Sequence, residues 1–261
     1  MWTFKLAARH VSAALLVLSA LTATGAGAED DFDAFFRSFQ EKRDGIGSLR
    51  AAFVQRTFLP EEVITTEGVI YYSRPRRVLF KTRDPETAIL VDGRRGYEYD
   101  AEIRQLTVFE IEDHPRADIF FMGFDDDTDA LREAYEVQLM ITDDARGRQG
   151  LKIMPKPGTE TEAYFIEVNL YLRDEDYLPY RIQIVNDEES QLFIDIEDLE
   201  KREEPDLDSA RIFVPEGVAI IMDDRVAEHV GASGRYMPAA ADAPDMEVRE
   251  LDDAALTENN P

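Results

Sequence analysis

The chain has 261 residues and carries 55 aspartates and glutamates against 29 lysines and arginines, a formal net charge of −26. This length is typical of one domain with appendages. The negative charge excludes nucleic-acid binding and favours either a soluble monomer or a protein whose partner is basic. The chain has no cysteine and only three histidines, which excludes thiol catalysis, cysteine-ligated metals and histidine-based catalytic triads, so we expect no cofactor.

The first 28 residues have the organisation of a cleavable secretory signal peptide. Lys5 and Arg9 precede an apolar run at 11–23, and small residues at 26–28 form a cleavage site before Glu29. The apolar run is shorter than the ~20 residues that a membrane-spanning helix needs. We therefore predict an exported protein that begins, after cleavage, at Glu29 and has no stable insertion in a membrane.

The start of the predicted mature chain has the periodicity of a helix. Its aromatic side chains recur at i, i+3, i+4 and i+7, which places them on one face. They are Phe32, Phe35, Phe36 and Phe39. The acidic residues at 29–31 suit the N-terminal end of the helix dipole, and Gly45 suits the end of the helix. We predict a helix over 29–44 whose aromatic face packs on the rest of the domain.

From residue 48 onward, apolar and polar residues alternate, which is typical of β-strands. Turn-forming residues separate the segments, and the first six follow one another without a helix, which indicates an antiparallel meander. The predicted strands are 48–59, 63–74, 76–81, 88–91, 96–100, 105–111, 136–142, 151–154, 164–172, 179–186 and 191–199, and the block closes with 210–221. We expect a run of about eleven strands to curl, because a long twisted sheet closes or folds over.

The strand pattern is interrupted between residues 113 and 135. The segment 118–124, DIFFMGF, is too apolar for an ordinary loop and too short for a long helix. Residues 128–136 have an apolar helical face. We predict that these pieces, together with the N-terminal helix, cover the concave face of the curled sheet.

A short acidic cluster in this region invites a calcium interpretation. Asp125, Asp127, Asp129 and Glu136 match positions 1, 3, 5 and 12 of an EF-hand loop. However, Ala130 stands where that loop needs its turn glycine, and the residues that follow have a helical pattern. We therefore predict a solvated acidic turn and no metal site.

Beyond residue 222 the composition changes again. Residues 223–261 are rich in alanine, aspartate, glutamate, proline and asparagine, and they show no sustained periodicity. Such segments bury too little apolar surface to fold alone. We predict an acidic disordered tail over 223–261, after a single folded domain over 29–222.

An ordered series of short motifs resembles the periplasmic outer-membrane lipoprotein carrier family, LolA, with its related LolB and RseB domains. The motifs are FVQ at 53–55, GVIYYSRP at 68–75, RVLF at 77–80, DP at 84–85, ILVDG at 89–93, YEYD at 97–100 and FVPEG at 213–217. None is specific alone, but their order and spacing extend the resemblance over residues 32–221. The signal peptide and the absence of a lipid-attachable cysteine fit the soluble carrier better than an anchored acceptor.

The resemblance implies a mainly β domain, an unclosed antiparallel β-barrel with a helical lid over an apolar cavity that shelters acyl chains. It implies that residues 29–222 bind lipoproteins or a related lipid, and carry this cargo from an inner-membrane release complex to an outer-membrane acceptor. The alternative is a lipid-sensing regulatory protein similar to RseB, without a transport role. We expect no enzyme, because nothing in the sequence ties a pair of carboxylates to a cleft.

Three arginines, Arg74, Arg76 and Arg77, lie around one proline. By themselves they would be charges for solubility. Pro75 cannot donate a hydrogen bond within a sheet, so Arg74 lies where a strand ends. The resemblance implies that Arg74 reaches the lid backbone in the closed, empty form, where its five donors can bind carbonyls. We predict that Arg74 is a lid latch and that Arg76 and Arg77 face water or neighbouring acids.

Apolar residues complete the predicted site. The lid candidates are Phe35, Phe36, Phe39, Phe120, Phe121, Met122 and Phe124. The candidates for the cavity lining on the sheet are Phe53, Ile70, Tyr72, Phe80, Tyr97, Phe165, Leu170, Ile182 and Ile184. Any one of them can instead be ordinary core, because alternation along a strand does not by itself say which face is buried.

Overall fold

The structure, a computed structural model, describes residues 26–111, 121, 123–124 and 128–238. Its helices are α1 (Ala26–Asp44) and α2 (Thr128–Ala134), with a short 3-10 helix at Glu160–Ala163. No helix within these described residues is long and apolar enough to cross a membrane. The predicted signal peptide lies outside the described residues, apart from positions 26–28, which begin α1.

The described part of the chain contains fifteen strands. They are β1 (Ser48–Phe58), β2 (Val63–Ser73), β3 (Arg77–Thr82), β4 (Thr87–Val91), β5 (Arg95–Asp100), β6 (Gln105–Glu110), β7 (Tyr135–Asp144), β8 (Gly147–Pro155), β9 (Glu167–Leu172), β10 (Pro179–Val185), β11 (Gln191–Arg202), β12 (Ile212–Val214), β13 (Ala219–Met222), β14 (Arg225–His229) and β15 (Arg235–Met237). Thirteen of them form one sheet in the order β14-β13-β6-β5-β4-β3-β2-β1-β11-β10-β9-β8-β7, and β12 pairs with β15.

The large sheet is antiparallel except at one position, and it does not close. Only β13 and β6 run parallel to each other among the described pairs. Strands β7 and β14 form the two ends of the sheet, and no pairing within the described residues joins them. The predicted unclosed antiparallel barrel is therefore confirmed, with one parallel pair that the sequence did not predict.

The segment 210–221, which closes the predicted block of strands, is divided between the two sheets. The segment forms two strands in different sheets, β12 and β13, and the backbone between them has a positive φ of 74° at Gly217. Glycine adopts this left-handed conformation without steric cost. The chain can therefore leave the small sheet and join the large one beside β6 within a few residues.

The structure has strands beyond residue 223, where we predicted that the disordered tail begins. Residues 225–237 contain β14 and β15, so the folded domain extends beyond residue 222. Val230 and Met237 anchor this segment, with 4% and 3% of their surface exposed. These two short strands contain few buried apolar residues, so the sequence shows no alternation there. They form by pairing, β14 with β13 and β15 with β12. The remainder of the predicted tail, 239–261, lies outside the described residues.

One face of the sheet, called here the inner face, is covered by α1. Three phenylalanines of α1, Phe35, Phe36 and Phe39, lie in one core with alternate residues of the strands, such as Ile70 and Tyr72 of β2. The helical spacing of the phenylalanines and the period-two spacing of the strand residues thus meet at this first core. The apolar face of α1 and the apolar inner face of the sheet therefore bury each other.

The opposite face, called here the outer face, carries a second core over β3–β6. Leu79, Leu90 and Leu106 are 0% exposed there. They cluster with Ile212 of β12 and Met237 of β15, which cover this part of the sheet. Strands β3 and β4 therefore carry buried residues on both faces, unlike the half-buried strands of an ordinary antiparallel sheet. On β5 and β6 the outer face is buried, and residues of the other face, such as Glu98 and Phe109, are exposed.

Candidate functional site

Arg74 follows β2 directly and binds the backbone at the end of α1. Its Nε donates to the carbonyl of Ile46 at 2.8 Å, and its Nη2 donates to the carbonyl of Arg43 at 3.0 Å. The last carbonyls of a helix have no partner within the helix, so a guanidinium satisfies them well. Arg74 thus contacts the backbone of the helix that covers the inner face, and its action as a latch stays a prediction.

A second set of contacts, which the sequence did not predict, holds the same end of α1. Arg43 is 1% exposed, its Nη2 donates to the carbonyl of Tyr177, and its guanidinium lies 3.8 Å from the ring centroid of Phe39. Lys42 donates from Nζ to the carbonyl of Asp174 at 2.6 Å. The end of α1 is therefore bound both to the residue that follows β2 and to the β9–β10 turn.

A buried carboxylate holds the β9–β10 turn in shape. Asp176 is 4% exposed, forms ion pairs at 2.7 Å with Arg173 and with Lys201, and accepts the Leu178 N–H at 3.0 Å. Burial alone would raise the pKa of Asp176, but the hydrogen bonds from Lys201 and Leu178 and the charge of Arg173 lower it overall. Tyr177, the next residue, has a φ of 54°, an uncommon backbone conformation that this network stabilises.

Helix α2 contacts the N-terminal half of α1. Arg132 forms an ion pair at 3.2 Å with Asp33, and both side chains are largely exposed. The Arg132 guanidinium also lies 5.3 Å and 5.7 Å from the ring centroids of Phe32 and Phe36. Exposed ion pairs contribute at most about 1 kcal/mol. The polar contacts described at this end of α1 are therefore weaker than those at its C-terminal end.

Most of the predicted lid and cavity residues lie in the first core. These are Phe35, Phe36, Phe39, Phe53, Ile70, Tyr72, Phe121, Phe124, Phe165, Leu170 and Ile182. Phe80 and Ile184 are partly buried and pack against the same core, whereas Phe120 and Met122 lie outside the described residues. The structure thus brings these side chains together under α1, and their contact with a ligand stays a prediction.

The arginines next to Arg74 differ in their surroundings. Arg76 is exposed, and its guanidinium lies 4.7 Å from the ring centroid of Phe121, so it adds a contact to the covering segment that the sequence did not predict. Arg77 is half-buried, and burial lowers its pKa, although the nearby Asp92 carboxylate opposes this change. Arg76 therefore joins Arg74 as a second arginine of this turn that contacts the cover of the inner face.

Tyr97 is a correction to the predicted cavity lining. It is 4% exposed and belongs to the second core on the outer face, away from α1. Alternation along β5 shows that Tyr97 and Tyr99 share the buried face, but it does not say whether α1 or the small sheet covers that face. Burial raises the pKa of Tyr97 to about 12, and the Asp92 carboxylate, 3.4 Å from the hydroxyl, adds to the rise.

This raised pKa predicts a loss of stability at alkaline pH. Because the folded state keeps Tyr97 protonated above the ordinary tyrosine pKa of ~10, its contribution is complete below pH ~10 and is lost as the pH rises towards 12. We expect wild type to lose about 1–2 kcal/mol more than Tyr97→Phe between pH 9 and pH 11.5, measured by urea unfolding. Tyr236→Phe, at an exposed tyrosine of β15, is the control, and equal losses in all three proteins would contradict the prediction.

The chemistry available at the inner face is apolar contact and backbone hydrogen bonding. Two members of the acidic cluster, Asp125 and Asp127, lie outside the described residues. Elsewhere in the described ranges, no group of three or more histidines and carboxylates is arranged to hold a metal ion. What the geometry provides is an apolar interior, a covering helix, and charged side chains that bind the backbone of that helix.

The fold and the site together define a class of protein, an open antiparallel barrel whose apolar inner face lies under a helix held at one end. The profile of the family described as "Outer membrane lipoprotein carrier protein LolA" matches residues 44–211. The match covers more than half of the chain, and the chain belongs to this family, which confirms the resemblance seen in its motifs. Members of the family are periplasmic carrier or binding proteins, not enzymes.

The individual relatives share only a small part of their sequence with this chain. An outer-membrane lipoprotein carrier protein of Bordetella pertussis is 26% identical over 180 residues, which cover 66% of this chain and 76% of that protein. A LolA superfamily protein from Nitrosomonas europaea has a similar structure, with 16% identity, a TM-score of 0.35, and coverage of 66% of this chain and 95% of that one. A chain in the Pseudomonas aeruginosa MucA/MucB complex is similar in structure, with 18% identity and a TM-score of 0.39. The match covers 69% of this chain and 60% of that one.

Proposed function

We propose that the chain is a periplasmic carrier that shelters the acyl chains of lipoproteins, or of a related lipid, on its inner face under α1. In this role it takes cargo from an inner-membrane release complex and delivers it to an outer-membrane acceptor. The observation that carries the proposal is the first core, in which α1 places three buried phenylalanines against the sheet while Arg74 binds the end of the helix. Membership of the carrier family supports it.

The energetics of carrying favour such an interior. An acyl chain of ~16 carbons gains on the order of 10 kcal/mol when it leaves water, since each buried methylene contributes about 0.8 kcal/mol. A soluble carrier must cover this surface and still release it. In the closed structure, Phe35, Phe36 and Phe39 occupy the inner face. An acyl chain that displaces them exchanges one set of apolar contacts for another, which keeps uptake and release close to balance.

Arg74 shifts this balance towards the closed, empty form. Hydrogen bonds from a charged group contribute about 1.5–3 kcal/mol each, and Arg74 makes two to the helix end. If α1 moves away from the sheet during uptake, these bonds break and cargo binding must compensate for them. The latch therefore favours release of cargo and return to the closed form.

We expect Arg74→Leu to retain acylated cargo more persistently than wild type. A loss of about 2 kcal/mol from the closed form corresponds to roughly 30-fold tighter retention. The measurement is native mass spectrometry of wild type and Arg74→Leu purified gently from periplasm, followed by release to acceptor vesicles. Arg83→Leu, at an exposed arginine between β3 and β4, is the matched control and should behave as wild type.

Three results would count against different parts of this proposal. A mass without any acylated species for all variants, with no uptake of an added lipidated peptide, would contradict the carrier role itself. Uptake of lipidated peptide without transfer to acceptor vesicles would instead support the lipid-sensing alternative. Equal retention of acylated cargo by wild type and Arg74→Leu would contradict the latch role of Arg74 but not the carrier role.

A further inference from the structure

The end of the sheet that lies away from Arg74 exposes apolar side chains. Val63 is the first residue of β2 and Arg74 follows its last residue, so the strand separates them by about 35 Å. Val63 is 54% exposed and Ile64 is 45% exposed. Ile166, which precedes β9 and donates its N–H to the carbonyl of Val185 at 2.7 Å, is 49% exposed at the same end.

Ile64 and Ile166 lie at the two ends of a row of residues that crosses five strands and is apolar except for Thr57 on β1. Ile64 pairs with Thr57 of β1, Thr57 pairs with Leu192 of β11, and Leu192 pairs with Ile184 of β10. Leu192 and Ile184 pack against the first core. Alternation along β2 places Ile64 on the inner face, because it is separated by an even number of residues from the buried Ile70. The rim strip, defined as Ile64, Leu192, Ile184 and Ile166, thus extends the inner face outward beyond its buried part.

Two acidic turns flank the rim strip. The β1–β2 turn carries Glu61 and Glu62, and the β10–β11 turn carries Asp187, Glu188 and Glu189, all of them exposed. The arginine closest to this end on β1, Arg56, lies on the outer face, where it pairs with Asp195 at 3.2 Å. The acidic turns therefore surround the apolar strip with negative charge that this arginine does not neutralise.

We propose that the rim strip and its two acidic turns form a docking surface for a segment of a partner protein that presents an apolar ridge flanked by lysines or arginines. A row of exposed and partly exposed apolar residues with a charged border has the composition of an interaction site, and the five carboxylates select a basic border. A second copy of the chain would bring the same acidic turns together at a net charge of −26, and anionic lipid head groups meet the same repulsion. The surface lies at the end of the sheet opposite to the Arg74 contacts, so partner docking there leaves the end of α1 accessible.

The experiment uses the purified protein and a synthetic helical peptide of leucine and lysine, about 18 residues long, with all leucines on one face. A peptide of the same composition with its leucines distributed around the helix is the peptide control. The first variant neutralises both acidic turns through Glu61→Gln, Glu62→Gln, Asp187→Asn, Glu188→Gln and Glu189→Gln. Its charge-matched control changes five exposed acids elsewhere, through Glu203→Gln, Glu204→Gln, Glu216→Gln, Asp223→Asn and Asp224→Asn. A second variant, Ile64→Ser, removes an apolar side chain from the rim strip. Its control is Ile141→Ser, at an exposed isoleucine of β7.

We expect the one-faced peptide to bind wild type at least about 10-fold more tightly than its control, because only it offers an apolar ridge. Neutralising the turns, or Ile64→Ser, should weaken binding by about 10-fold or more, while each control variant changes it by less than about 3-fold. Backbone amide shifts in NMR spectra should concentrate at 61–64, 164–167 and 184–193. Equal weakening by the two five-acid variants, shifts concentrated elsewhere, or burial of the strip in a dimer of the free protein would overturn the proposal.

Uptake of a lipidated peptide, measured on the same variants, separates this inference from the proposed function. Unchanged uptake in the variants with weakened peptide binding is the expected result, since the rim residues that are changed lie outside the buried interior. Absence of acyl uptake in every protein, with the expected peptide binding intact, would contradict the carrier role and leave the docking surface standing.

Discussion

Replacing Phe39 with alanine is expected to lower the free energy of unfolding by about 3–5 kcal/mol. The side chain is 1% exposed and lies at the centre of the contact between α1 and the sheet. Its ring centroid lies 5.9 Å from that of Phe35 and 6.0 Å from that of Phe36, and the Arg43 guanidinium is 3.8 Å away. Removing the ring leaves a cavity that these neighbours fill only in part, which adds to the lost apolar burial.

The measurement is urea unfolding followed by circular dichroism, together with binding of an apolar fluorescent dye. Ile141→Ala is the control, since Ile141 is 91% exposed and surface changes usually stay within about 0.5 kcal/mol. Because α1 covers the inner face, we also expect Phe39→Ala to bind more dye than wild type under native conditions. A loss of stability below about 1 kcal/mol would mean that α1 does not share one cooperative core with the sheet.

Replacing Asp176 with asparagine is expected to cost about 3 kcal/mol at neutral pH. The change leaves the half-buried Arg173 without its ion pair at 2.7 Å and weakens the contact with Lys201. It also disturbs the β9–β10 turn, whose carbonyls bind Lys42 and Arg43 at the end of α1. Loss of this carboxylate should therefore loosen α1 as well as the turn, and hydrogen exchange of the last turn of α1 should become faster.

The pH dependence of this effect has a defined sign. The pKa of Asp176 is lowered in the folded state, so its contribution is complete above the unfolded pKa of ~3.9 and is lost as the pH falls through the lower folded value. The difference in unfolding free energy between wild type and Asp176→Asn should be constant near neutral pH and shrink below about pH 4. Glu175→Gln removes the same charge from a side chain that is 71% exposed. A difference that grows on acidification, or an equal effect of Glu175→Gln, would contradict this role for Asp176.

Sequence patterns predicted the elements whose burial follows one simple period. The spacing of the α1 phenylalanines is a local property, and α1 ends at Asp44, as predicted. Strand β2, which has one buried face along its later half, extends over Val63–Ser73 against a prediction of 63–74. Tyr97 was assigned to the wrong face because alternation along β5 marks which face is buried, and does not say whether α1 or the small sheet buries it.

The residues of the candidate site were predictable only in part. Arg74 was found through its position after a strand and before Pro75 within a family motif, and the structure places it on the end of α1. Lys42 and Arg43 were missed, although basic residues in the last turn of a helix suit its carbonyl end. Their partners are carbonyls of the β9–β10 turn, and no side-chain pattern identifies a carbonyl that will accept a hydrogen bond.

The sequence by itself determines that this chain forms a mainly β domain with an aromatic covering helix and belongs to the lipoprotein carrier family. Helical and strand periods and the order of short motifs are properties of neighbouring residues, so they can be recognised without the fold. Only the tertiary structure decides which face Tyr97 takes, how far the domain continues past residue 222, and what holds the end of α1. Each of these depends on contacts between distant parts of the chain, as in the bonds from Lys42 and Arg43 to carbonyls 132 and 134 residues away.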